Sequence, residues 1–102
     1  MSKQDEGKTR WDLLPLKQVE EIIDVITWGA KKYTDNGWKT LENAEERYFA
    51  AMMRHIAAHR RGEMCDNESK LSHLAHAGAC LLFLIWHQDN PTTKEDQQHA
   101  DN

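Results

Sequence analysis

Four of the six histidines in this 102-residue chain stand at positions 55, 59, 73 and 76. His55 and His59 are i and i+4, His73 and His76 i and i+3, so each pair places two imidazoles on one face of a helix, within reach of one ion. Between the pairs runs GEMCDNESKL, residues 62–71, with Glu63, Asp66 and Glu68. If two antiparallel helices flank this segment, the Glu63-x-x-Asp66 carboxylates and the four imidazoles converge on one crevice. Such a set suits a metal ion or a phosphate. Each member also has a plain alternative. Asp66, Asn67 or Ser69 can cap the following helix, and a buried histidine can find its partners inside a core.

A second group lies upstream. In EEIID, residues 20–24, Glu20 and Asp24 fall on one stripe with Lys31. Carboxylates one turn apart can share a hard cation such as Mg²⁺; the ordinary alternative is a wet helix face with Glu–Lys pairs. Lys8, Arg10, Lys31, Lys32, Arg54, Arg60 and Arg61 offer phosphate contacts, or simply solubility. Trp11, Tyr33 and Trp38 can stack on a base, or close the ends of a small core.

Helices must position these groups. Leu16, Val19, Ile23, Ile26 and Ala30 recur at helical spacing and predict a helix over residues 15–33, with Pro15 at its start. TDNG, residues 34–37, is turn chemistry suited to positive φ. A second helix is expected over 43–61, with Asn43 and Glu46 as a capping box, an apolar stripe of Phe49, Met53 and Ile56, and Gly62 as its stop. A third is expected from residues 67–69 to about 87. It is apolar nearly all round between Leu74 and Trp86, which requires burial on several sides. His73 and His76 point away from its Leu71, Leu74, Gly78 and Leu82 stripe, on a side continued by Cys80 and Phe83. No segment reads as a strand. The fold class is therefore all-α: a small domain of three to four helices over residues 8–87, with polar, aperiodic tails at 1–7 and 88–102 expected to be disordered.

One short domain buries a thin core, and the all-round apolar third helix asks for a second subunit, so a homo-oligomeric helical bundle is expected. The formal charge of −4 argues against a nucleic-acid polymer as partner. The longest apolar run, residues 79–86, is far short of the ~20 residues of a membrane span. Cys65 and Cys80 form no CxxC pair, and with no signal-like N-terminus they read as free thiols of a cytoplasmic protein.

KTRWDLLP (8–15), GAKKYTDNGW (29–38) and RHIAAHRRGEMCDNESKLSHLAHAGACLLFL (54–84) together resemble a phage-associated family, the N-terminal domain of dATP/dGTP diphosphohydrolases. That family is in turn similar to the MazG-like all-α nucleoside triphosphate pyrophosphohydrolases, helical dimers or tetramers that use Mg²⁺ or Mn²⁺. The resemblance implies a small-molecule nucleotide as partner and a host-cytoplasmic setting. It favours Lys31, Lys32, Tyr33 and Trp38 near the nucleotide, and His55, Glu63, Asp66, His73 and His76 as the polar signature. Glu20, Glu21 and Asp24 imitate the MazG EExxE carboxylates, with Asp in place of the last Glu. Two features depart from that pattern: Glu63 and Asp66 straddle an expected helix break, and the HxxH of the third helix has no MazG counterpart.

The expected function is metal-dependent hydrolysis of a (deoxy)nucleoside triphosphate to the monophosphate and pyrophosphate. Glu20, Asp24, Glu63 and Asp66 are the expected metal set, with Glu20, Glu63, Asp66 and His73 as catalytic groups. Lys31, Lys32, Tyr33, Trp38, Arg54, His55 and His76 are expected to bind substrate. The alternative is a module that sequesters a nucleotide without turnover.

Overall fold

The computed structural model describes residues 6–91, so the expectations for 1–5 and 92–102 lie outside the described residues. Among the described residues there are three α-helices: α1 (Leu16–Lys32), α2 (Ala44–Arg60) and α3 (His73–Asp89). Short 3-10 turns at Trp11–Leu13 and Gly37–Lys39 precede α1 and α2. Among the described residues the only strand-like pairing is an isolated bridge between Cys65 and Ser72. The all-α expectation holds. α3 is the central element, packed along α2 on one side and against α1 on another.

α1 meets α3 through Ile22, Val25 and Ile26, which close on Ala75, Ala79, Leu71 and Phe83. Small residues on α3 permit the approach: a Cβ added at Gly78 would lie 2.7 Å from Ile22 Cδ1. Burying an aliphatic side chain of this size contributes about 1.5–3 kcal/mol. The expected stripe is thus rotated. Ile26 is on the inner face, but Leu16 and Ile23 are exposed and Ile22 and Val25 take their place.

α2 departs further from expectation. Phe49 is 56 % and Met53 45 % exposed, while Ala44, Tyr48, His55 and Ala58 line the side toward α3. Tyrosine and imidazole groups can occupy an interface when the neighbouring helix supplies partners for their polar atoms. The expected capping box does not form. Asn43 sits in the left-handed region at φ 56°, with no side-chain bond to the helix. Asn36, in the TDNG turn, has the expected positive φ, and Gly62 ends α2 at φ 96°.

α3 begins at His73, several residues later than expected. Its cap is Ser72, whose Oγ accepts the Ala75 N–H. Residues 63–72 are a closed loop. The Asp66 N–H donates to Leu71 O, Lys70 N–H to Asp66 O and His73 N–H to Met64 O. Asp66 Oδ2 accepts the N–H groups of Ser69 and Glu68 at 2.9 and 3.1 Å. At its other end α3 runs two residues beyond His87, to Asp89.

Beside Phe49 and Met53, the side chains of Leu74, Leu81, Leu82 and Ile85 stay exposed, and no large side chain among the described residues is fully buried. No helix among them is long and apolar enough to cross a membrane.

The two thiols differ sharply in setting. Cys65 is exposed on the 63–72 loop, whereas Cys80 is buried on α3. Burial pushes the Cys80 thiol up to about 11, against the opposing pull of the Arg54 charge. At pH 8 roughly one Cys80 in a thousand is thiolate, the reactive form. A thiol reagent added to native protein at that pH is expected to take up one equivalent quickly, at Cys65, and a second only after denaturation. Peptide mass analysis assigns the label; rapid native labelling of Cys80 would contradict the packing described here.

Candidate functional site

The loop delivers Asp66 to the seam where α2 and α3 lie side by side. His55 enters from α2, His73 and His76 from the first turn of α3. The i, i+3 spacing on α3 puts both imidazoles toward α2, and both are buried. His55 Nδ1 and His73 Nδ1 are 2.9 Å apart, one ring donating its N–H to the other. His55 stacks on His76 with ring centroids 4.5 Å apart and planes 13° from parallel. His76 Nε2 pairs with Ser69 Oγ at 2.7 Å, and its ring meets the edge of Trp28 on α1. Behind His73, Glu63 Oε2 lies 3.7 Å from Nε2.

Burial pushes His55 down from the ordinary histidine value, helped by the neighbouring His76 and His73. Burial also lowers His76, against the charge of Asp66. Both shifts favour neutral rings, the form that binds metals. Partial burial tends to raise Asp66, but bonds from Ser69 and Glu68, with the nearby His76, outweigh it and hold this carboxyl below its usual range. Among the described residues, one group of three offers ligand atoms within 4.8 Å of one another: His55, Asp66 and His73.

The structure thus brings together His55, Asp66, His73 and His76, with Glu63 alongside, but not the full expected set. Glu20 and Asp24 are exposed on α1 and line a shallow surface depression with Lys17 and Glu21. Among the described residues they are absent from the group that includes Asp66. His59, one turn beyond His55, is also outside that group.

The basic and aromatic candidates divide as well. Lys32 forms an ion pair with Glu68 and lies 5.1 Å from the Trp28 ring centroid, so its charge borders the aromatic wall of the imidazole cluster. Lys31, Tyr33 and Arg54 are exposed. Trp38 is engaged elsewhere: its ring stacks on Phe83 at 4.3 Å, and its carbonyl accepts the His87 Nε2–H at 2.9 Å. Two contributors escaped the sequence reading. From sequence Ser69 reads only as a cap, although its hydroxyl stands seven residues before its partner His76. Trp28 gave none, because its imidazole partner comes from a distant part of the chain.

A family model described as "dATP/dGTP diphosphohydrolase, N-terminal" matches residues 1–97. A Salmonella phage PMBT28 protein named dATP/dGTP diphosphohydrolase is 32% identical over 96 residues, covering 94% of this chain and 32% of that protein. The chain therefore spans about a third of the length of that relative. No solved structure matches it. By the family model and this relative, the chain belongs to the dATP/dGTP diphosphohydrolase N-terminal family.

Proposed function

We propose that this chain takes part in metal-dependent hydrolysis of a (deoxy)nucleoside triphosphate to the monophosphate and pyrophosphate, with the α2–α3 seam as its working site. The carrying observation is the meeting of His55, His73 and Asp66 within 4.8 Å. The name of the phage relative supports the substrate class.

The donors fit a divalent cation. The His55 ring, which burial favours in its neutral form, the His73 ring paired with it at Nδ1, and one carboxylate held ionised by N–H donors are suitable ligands. His55, His73 and Asp66 would hold the ion. When bound, such a cation lowers the pKa of its water and offsets phosphate charge. The remaining work falls to the chain. Glu63 stands 3.7 Å from His73 Nε2, and a small closing movement would let its carboxylate accept that N–H and orient the ring. Ser69 orients His76, which can donate to a phosphoryl oxygen or receive a proton. Lys32, released from Glu68 by a competing phosphate, and Arg54 supply positive charge at the rim.

Homo-oligomerisation, as dimer or tetramer, belongs to the same reading. The exposed apolar side chains of α2 and α3 are the surfaces a second copy would cover.

The test is incubation of pure protein with a panel of dNTPs, NTPs and cyclic nucleotides, with and without Mn²⁺, and separation of the products by anion exchange. Metal-dependent release of monophosphate and pyrophosphate is expected. Intact nucleotide recovered only after denaturation would replace the hydrolase reading with sequestration.

A further inference from the structure

We infer that His55, His73 and Asp66 form an octahedral site for a first-row transition dication of the Mn²⁺, Fe²⁺ or Co²⁺ kind, bound through both Nδ1 atoms, and that it discriminates against Mg²⁺. This deepens the proposed function and rests on it for the use made of the ion.

The first observation is a distance. The Nδ1 atoms are 2.9 Å apart. With metal–nitrogen bonds of about 2.1 Å, that separation subtends roughly 87° at the ion. Adjacent octahedral ligands subtend about 90°, whereas a tetrahedral ion would need the nitrogens about 3.4 Å apart. The pair therefore suits six-coordination better than tetrahedral zinc.

The second is donor chemistry. Mg²⁺ asks for oxygen ligands and gives up water reluctantly. In donor type, two imidazoles and one carboxylate instead match the set that holds divalent transition metals with positions left open. Those open positions are where water and phosphate oxygens can enter.

The third is support around the ligands. Asp66 Oδ2 accepts both turn N–H groups, which fixes the carboxylate and leaves Oδ1 for the ion. Glu63 Oε2 stands 3.7 Å behind His73 Nε2, the position of a carboxylate that orients a metal-bound imidazole. Binding asks for one tautomeric change. The ring that donates its Nδ1–H in the metal-free pair carries that proton on Nε2 instead, so that both Nδ1 atoms present a lone pair.

The experiment uses the full chain, stripped with chelator and dialysed. MnCl₂ and MgCl₂ are titrated separately by calorimetry, and bound Mn²⁺ is counted from loss of the free-ion paramagnetic resonance signal. One Mn²⁺ per chain is expected, with Mg²⁺ at least about 100-fold weaker. Asp66→Asn keeps an oxygen acceptor for the turn but removes the anionic ligand. It is expected to keep its helical circular dichroism and fold cooperatively, with a modest fall in melting temperature from loss of the anion that the turn N–H groups hold, while losing at least about tenfold in Mn²⁺ affinity. His55→Gln serves as the second variant should Asp66→Asn fail to fold, with the same loss expected.

Mg²⁺ binding as tightly as Mn²⁺, or Mn²⁺ affinity untouched in a folded variant, overturns the inference. Mn²⁺ held as described by a chain that hydrolyses no nucleotide upholds the site and removes the hydrolase reading. Hydrolysis supported by Mg²⁺ in a chain that takes up no Mn²⁺ does the reverse.

Discussion

Replacing His73 with alanine is expected to cut metal-dependent nucleotide hydrolysis at least about 100-fold and to lower folding stability by about 1–3 kcal/mol. The two effects have separate origins. His73 is buried, and its Nδ1 is the partner of His55 Nδ1. Truncation leaves the His55 nitrogen in the seam without that partner, so the cost is that of a stranded polar group plus the space vacated. The activity loss follows from removing one of three metal donors. Glu63→Gln is the graded comparison. Glu63 lies outside the ligand group and stands behind His73, so activity is expected to fall only about tenfold with stability unchanged, since this side chain is largely exposed. Urea midpoints and kcat/KM on one triphosphate check both variants. Full activity in a folded His73→Ala protein would detach hydrolysis from the seam, and an unchanged urea midpoint would mean the imidazole pair contributes nothing to the fold.

The helix count and the all-α class were legible because apolar spacing and turn residues are local signals. Gly62 and Asn36 marked their turns because positive φ is cheap for few residue types. Which stripe of α2 faces inward was not legible. By hydropathy alone Phe49, Met53 and Ile56 should be inside and Tyr48 and His55 at the edge. Ile56 is half-buried, but Phe49 and Met53 are exposed, because α3 brings its own imidazoles and Phe83 to meet Tyr48 and His55. A residue's suitability for burial depends on partners from elsewhere in the chain, and single-helix periodicity carries no record of them. The start of α3 at His73 is hidden in the sequence for a related reason. Residues 63–72 are held by backbone pairs and by Lys70 at φ 65°, and a lysine in that conformation advertises nothing.

The candidate site was half legible. His55, His73 and His76 could be expected to converge, because helical spacing aimed each at the neighbouring helix and a short segment joins the two. Glu20 and Asp24 carried an equally regular spacing, yet they lie on the exposed side of α1. Spacing within one helix shows which side chains share a face; the packing partner decides whether that face meets anything.

Trp38 is where the packing and nucleotide readings give opposite experimental results. The resemblance placed it near a nucleotide, but its ring stacks on Phe83 at 4.3 Å, meets the edge of Trp86 at 5.2 Å, and its carbonyl accepts the N–H of the buried His87. These contacts tie the Gly37–Lys39 turn, and with it the entry to α2, to the far end of α3. Trp38→Ala is expected to cost about 2–4 kcal/mol, below the full price of a wholly buried tryptophan because this ring is half-buried. A domain of this size has only about 5–15 kcal/mol in total, and each kcal/mol moves its melting temperature by about 4–8 °C. A fall of roughly 8–32 °C is therefore expected, with Trp38→Phe recovering most of it because a second ring can still stack on Phe83. Nucleotide affinity, measured well below the lowered melting temperature, should change little. The opposite pattern, a melting temperature within about 2 °C of the parent and a large rise in KM, would return Trp38 to the nucleotide and leave the end of α3 to be held by His87 and its other neighbours.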